Sequence, residues 1–130
     1  MTTAPPGTPR RLLVVEDEAL IAMLVEALLQ EHGHTIVGPA ARVAAALKLA
    51  ESETLDAAVL DVNLAGEPVF PVADVLARRG VPIVFLTGYG RLGLPEPYQA
   101  YAVVEKPIDY ERLLTAVDAA LTGGASAVTR

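Results

Sequence analysis

The chain contains no cysteine, no tryptophan and only two histidines. Without thiols there is no disulfide, no thiolate metal centre and no cysteine nucleophile, and the redox compartment is left undetermined. Basic residues are also scarce: 10 Lys and Arg stand against 16 Asp and Glu, for a formal net charge of −6 and a pI near 4.8. So acidic a surface cannot track a phosphate backbone, and direct nucleic-acid binding is not expected. No stretch approaches 18 uninterrupted apolar residues, and the run Leu12–Val15 is too short for a signal-peptide core before Glu16, Asp17 and Glu18. Arg10-Arg11 is followed by too short and too acidic a stretch to be a twin-arginine signal, and reads as tail. A soluble, cytoplasmic protein without a membrane partner is the simplest expectation.

What is present is apolar and patterned. The 130 residues suit one domain, and 52% hydrophobic residues with a mean hydropathy of +0.41 supply a core. Residues 1–10, with three prolines and a glycine, and 123–130 (GGASAVTR) read as flexible tails around a folded part at 11–122. Within it, short apolar runs at 12–15, 35–38, 57–60, 82–86 and 100–104 show no in/out alternation, as expected of parallel strands covered on both faces. Helical patterns at 18–32, 42–52, 68–79 and 109–122 separate them. Pro95 and Pro97 make 91–99 a short or irregular fourth helix. The expectation is an α/β three-layer sandwich of five βα units, with no internal repeat.

In open parallel sheets ligands bind beyond the carboxyl ends of the strands, so those ends were read for chemistry. The first ends in Glu16-Asp17, the third in Asp61, the fourth in Thr87 and the fifth in Lys106-Pro107. Three carboxylates against one ammonium leave a local formal charge of −2. Acids about 4 Å apart repel by roughly 4 kcal/mol per pair at an effective dielectric near 20. A divalent cation cancels that excess, and an all-oxygen donor set favours Mg²⁺ over Zn²⁺. Each piece alone is ordinary, since Asp17 would serve as an N-cap and an isolated lysine is usually solvated. The chain has only two lysines, however, and one of them precedes a proline at the edge that carries the acids.

VVEDE at 14–18, LDVN at 60–63, LTG at 86–88 and EKP at 105–107 resemble, in order and spacing, the receiver domain of two-component response regulators. The resemblance covers about 11–122 and implies a flavodoxin-like (βα)5 fold with strand order 2-1-3-4-5. It implies that Asp61 is the phosphoacceptor for a histidine kinase or histidine phosphotransfer protein. Asp17 and Asp61 would then bind Mg²⁺ directly, Glu16 through water and Asn63 by its backbone carbonyl. Thr87 and Lys106 would hold the phosphoryl oxygens, the Lys106–Pro107 bond would be cis, and Asn63 and Tyr89 would govern water access. Such a domain is not an enzyme on a separate substrate; it promotes gain and loss of its own phosphoryl group. With about eight residues after the last helix, a stand-alone receiver is expected, monomeric or weakly dimeric, signalling or relaying by protein contact.

PIVFLTGYG at 82–90 further resembles the FATGUY subgroup of receivers, with Ile83 and Leu86 departing from its motif. The aromatic usual three residues before the lysine is replaced by Val103, as in that subgroup. Tyr89 or Tyr101 is left to substitute, although packing alone accounts equally for Tyr101. The subgroup implies a donor of the HWE/HisKA2 class of histidine kinases.

On the first helix, Ile21, Val25 and Leu28 form a stripe for the sheet, while Leu20, Met23 and Ala27 form a second stripe. The second reads either as ordinary exposed apolar residues or as a dock for a donor's helical bundle. His32 and His34 read as exposed turn residues far from the acids. Among rivals, a haloacid-dehalogenase-type enzyme needs a second acid where Asn63 stands, a flavodoxin's phosphate is repelled by the acids after strand one, and no nucleotide-binding P-loop is present. The remaining alternative is a receiver-shaped interaction module that works without phosphorylation.

Overall fold

The structure, a computed structural model, describes residues 10–88 and 94–123. Tyr89 and most of both expected tails lie outside the described residues. In chain order the elements are β1 (Arg11–Val15), α1 (Ala19–Glu31), β2 (Thr35–Ala40), α2 (Val43–Ser52), β3 (Ala57–Asp61), β4 (Asn63–Leu64), β5 (Glu67–Pro68), α3 (Phe70–Arg78), β6 (Ile83–Thr87), a 3-10 turn (Glu96–Tyr98), β7 (Ala102–Glu105) and α4 (Tyr110–Gly123). The sheet runs β2-β1-β3-β6-β7 with every pair parallel. This is the expected 2-1-3-4-5 order once the small antiparallel hairpin β4–β5 is set aside. That hairpin was not anticipated. Arg11 is strand rather than tail, its guanidinium 2.7 Å from Glu53, and the last helix runs on to Gly123.

Alternation along the strands divides the interior into two cores. Leu13, Ala58, Leu60, Ile83 and Phe85 pack with Val43, Ala46 and Ala50 of α2 and with Val72, Ala73 and Leu76 of α3. Leu12, Val14, Ala57, Val59, Val84 and Leu86 pack with Val25 and Leu29 of α1 and with Leu113, Val117 and Ala120 of α4. Successive strand residues point to opposite faces. Counting on by two from the second set gives Glu16, Asp61 and, after Ala102 and Val104, Lys106. One parity therefore carries Glu16, Asp61 and Lys106 to one edge, Asp17 follows Leu13 and Val15 on the other, and Thr87 shares that other parity with Phe85.

The faces of α1 differ in detail from the expected stripes. Ala22, Val25 and Leu29 are its buried residues, whereas Ile21 and Leu28 are half-buried at the flank. The second stripe is exposed, at 63% for Leu20 and 58% for Met23, and is joined by Leu24 at 43%. His34 also departs from expectation. It is half-buried, with Nδ1 enclosed and unpartnered, and burial holds its pKa below the ordinary 6.5. His32 is exposed, as its turn position implies.

In the fourth crossover the described residues form only the 3-10 turn, consistent with the prolines at 95 and 97. Tyr98 stacks on Phe70 at 4.9 Å between ring centroids, and both Tyr98 and Tyr101 meet Phe85 edge-on at 5.8 and 5.9 Å. The Tyr98 hydroxyl donates to the Asp74 carboxylate of α3. Among the described residues, no helix is long and apolar enough to cross a membrane.

Beside the acids, β2 is irregular: Leu13 pairs with Val37 but Val15 with Ala40. Gly38 sits there at φ 98°, and a Cβ on it would lie 2.8 Å from the Ala40 nitrogen and 3.0 Å from the Val14 oxygen. The displaced Ala40 carbonyl accepts the Glu16 N–H at 2.9 Å, fixing the backbone of the first acid. Gly38→Ala is expected to cost about 1–3 kcal/mol in urea unfolding, and to weaken cation binding at the acids by more than a similarly destabilising core substitution such as Val117→Ala.

Candidate functional site

The carboxyl ends of β1, β3 and β6 and the loop after β7 converge on an open cleft of about 240 Å³. It is lined by Asp17, Glu18, Asp61, Asn63, Ala65, Gly66, Gly88 and Lys106. Carboxylate oxygens of Glu16, Asp17 and Asp61 all lie within 4.8 Å of one another. Lys106 Nζ is 3.2 Å from Asp61 Oδ2, 3.1 Å from Glu16 Oε1 and 3.8 Å from Glu18 Oε1. The structure thus brings together five of the residues singled out from the sequence, Glu16, Asp17, Asp61, Asn63 and Lys106. Thr87 ends β6 and is buried, and its backbone carbonyl accepts the Lys106 N–H at 2.8 Å. The Lys106–Pro107 bond is cis.

Asp17 is not a helix cap. The N-cap of α1 is Glu18, whose side chain makes no capping bond, and Asp17 Oδ2 instead accepts the Ala65 N–H at 2.9 Å. Ala65 adopts φ 51°, a left-handed conformation that costs a non-glycine residue roughly 1–2 kcal/mol. It is held by that bond and by the turn in which Asn63 Oδ1 accepts the Gly66 N–H at 2.9 Å. The hairpin β4–β5 therefore orients one acid of the cleft. Nothing in the sequence signals Ala65 and Gly66, and Gly88 and Glu18 stood in the motifs LTG and VVEDE without a role of their own.

Electrostatically the cleft is short of positive charge. Burial pushes the Glu16 pKa from its ordinary 4.5 up to about 7, with the neighbouring Asp61 adding to the rise. Burial also raises Asp61, against the bonds from Glu16 and Lys106. Burial works the same way on Asp17, but is outweighed by hydrogen bonding with Asp61 and from Ala65, so Asp17 is lowered. Desolvation disfavours the Lys106 ammonium, yet bonding and attraction from Glu16 and Asp61 raise its pKa. Lys106 donates to Glu16 Oε2 at 3.4 Å, while the buried Glu16 Oε1, 3.1 Å from the ammonium, has no hydrogen-bond partner. An acid cluster that must hold protons to relieve itself, built only of oxygens and open on one side, fits a hard divalent cation such as Mg²⁺.

Residues 12–118 match the family described as the response regulator receiver domain. The chain is 34% identical over 125 residues to the transcriptional regulatory protein PdtaR of Mycobacterium tuberculosis, covering 93% of this chain and 61% of PdtaR. It superposes on the solution structure of SdrG from Sphingomonas melonis with a TM-score of 0.76 at 40% identity, covering 87% of this chain and 96% of that one. SdrG has also been solved in a BeF3-activated conformation, with a TM-score of 0.72 over 85% of this chain and 95% of that one. The response regulator PhyR from Brucella abortus aligns with a TM-score of 0.78 at 31% identity, covering 89% of this chain and 49% of PhyR. The chain thus spans about half to three-fifths of PhyR and PdtaR and nearly all of SdrG.

A carboxyl with a raised folded-state pKa binds its proton more tightly in the native state, so its contribution is fully present below the unfolded pKa and lost as pH rises through the folded one. For Glu16 that window runs from the ordinary 4.5 to about 7, and Asp61 acts in the same sense. Without divalent cation, stability should fall across it by on the order of 2–3 kcal/mol. Denaturation at several pH values checks this, and Glu16→Gln should remove most of the slope.

Proposed function

The chain belongs to the response regulator receiver family, and on that premise we propose that it accepts a phosphoryl group onto Asp61 from a histidine kinase or histidine phosphotransfer protein, in a Mg²⁺-dependent reaction, and acts by protein contact. The observation that carries this reading is the Asp61 carboxylate itself. It stands at a strand end in an open cleft, 3.2 Å from an ammonium and within 4.8 Å of two further carboxylates.

The chemistry follows from these groups. An Asp61 oxygen attacks phosphorus as the P–N bond of phosphohistidine breaks; the electron pair leaves on the imidazole, which is then protonated from solvent. Lys106 already touches Asp61 and is placed to pair with an oxygen of the incoming group. Asp17 and Asp61, with the Asn63 carbonyl and, through water, Glu16, would hold Mg²⁺, which when bound supplies positive charge for the transferring oxygens. Thr87 directly precedes the cleft-lining Gly88, and its hydroxyl would serve the same oxygens. The acyl phosphate is later lost to water, with Asn63 and Tyr89 controlling access. The domain is therefore an acceptor that promotes its own phosphorylation and dephosphorylation, not an enzyme on a second substrate.

Support from the relatives is consistent with this. SdrG has a BeF3-activated conformation, and BeF3 on a carboxylate is a tetrahedral mimic of a phosphoryl group. The FATGUY assignment and an HWE/HisKA2 donor are part of the proposal. They rest on Pro82, Phe85, Thr87 and Gly88 in the motif positions and on Val103 where an aromatic is usual. With Val103 there, Tyr101 packs against Phe85, two residues before Thr87. The donor's helical bundle docks on α1, whose exposed Leu20, Met23 and Leu24 continue from the cleft-lining Glu18.

With acetyl phosphate and Mg²⁺, intact-mass measurement should show one added phosphoryl group, and Asp61→Asn should abolish it. An adduct that survives the substitution would move the acceptor elsewhere. Leu20→Ser with Met23→Ser should slow transfer from a kinase by about tenfold, the effect of losing one or two anchoring contacts, while leaving acetyl phosphate unaffected.

A further inference from the structure

Glu18 is the one acid of the cleft that the proposed reaction does not use. It lines the cleft, its side chain is 63% exposed, and its carboxylate lies 3.8 Å from the Lys106 ammonium. It occupies the N-cap of α1 without making a capping bond, so the helix does not explain its side chain. Glu16 and Asp61 lie inside and touch the same ammonium, whereas Glu18 stands at the mouth, where a donor enters.

From this placement we infer that Glu18 sets the charge selectivity of the cleft, holding off small anionic phosphodonors and favouring a donor that brings positive charge against it. The inference rests on the acceptor reading above. Its physics is direct. A phosphoryl donor carries negative charge, and a fixed carboxylate at the entrance opposes its approach. It also competes for the Lys106 ammonium, 3.8 Å away, with the oxygens that the ammonium would pair with. A partially hydrated pair of unit charges about 6 Å apart changes a rate or affinity by roughly threefold per charge on the donor. A phosphohistidine flanked by Lys or Arg on its own helix escapes this penalty, because its cation meets Glu18. The partner chemistry is thus an apolar helical surface for Leu20, Met23 and Leu24 with a basic side chain beside the histidine.

The test compares Glu18→Gln with wild type, using dianionic acetyl phosphate and monoanionic phosphoramidate as donors at neutral pH and saturating Mg²⁺, at low and high ionic strength. For acetyl phosphate the bond that forms is again Asp61 oxygen to phosphorus, and acetate leaves with the electron pair. Glu18→Gln should accelerate acetyl phosphate by about tenfold and phosphoramidate by about threefold at low ionic strength. Both gains should shrink as salt screens the mouth. Glu31→Gln, at the far end of α1, makes the same change in net charge and should move neither rate. A helix-capping role would instead change the thermal midpoint without changing the ratio between donors. Equal acceleration of both donors, no acceleration, or a gain indifferent to salt would overturn the role of Glu18 while leaving the acceptor reading intact. Failure of wild type to take up phosphoryl from either donor would overturn both.

Discussion

One ammonium held among four carboxylates is the interaction on which the rest of the molecule turns. Lys106 reaches Glu16, Asp61 and Glu18, and Asp17 stands beside them. It leaves the cluster net negative. A sheet assembled for stability alone would not gather these groups, since burial already drives Glu16 up to about 7. Protons at low pH and a divalent cation at neutral pH would compete for the same oxygens. Occupancy by such a cation would stabilise the folded state by mass action, turning the repulsion within the acid cluster into affinity for it.

The sheet delivers this cluster through a simple rule of alternation. Leu12, Val14 and Glu16 fall on one parity, as do Val59 and Asp61, and Val104 and Lys106; each series is buried and apolar until its last member. That pattern was readable in the sequence, because strands covered on both faces are apolar throughout and the first polar residue marks where cover ends. The two-sided core and the polar strand ends at Glu16-Asp17, Asp61 and Lys106 were legible on those grounds, whereas the strand order was implied by the resemblance to receiver domains. The proline-rich stretch before β7 was legible for another reason, since a residue without an N–H cannot continue a helix.

Other features depended on contacts that no local pattern encodes. The hairpin β4–β5 is two residues on each side, too short for any period, and is held by the Ala65 bond to Asp17, 48 residues away in sequence. Asp17 reads as a cap until that bond is known. The irregular pairing of β2 hangs on Gly38, where the approach of Val14 and Ala40 leaves no room for a Cβ. On α1 the spacing defined an apolar face but not its rotation, which the packing of Ala22 and Leu29 against the sheet decided. His34 appeared exposed because its neighbours in sequence are polar, whereas its ring is partly covered by the fold.

The two faces of the sheet then divide the work. Glu18 lines the cleft and directly precedes α1, whose exposed Leu20, Met23 and Leu24 follow it in the chain. Thr87 has the opposite parity and follows Phe85, whose ring meets Phe70 of α3, Tyr98 of the 3-10 turn and Tyr101 before β7. Any displacement of the end of β6 would therefore bear on the aromatic cluster on the α3 side. Because Val103 offers no ring, that cluster rather than a single rotating aromatic is the packed unit next to Thr87. Tyr98 ties it to α3 through Asp74. The exposed stripe of α1 and the aromatic cluster around Phe85 thus lie on opposite faces of the sheet.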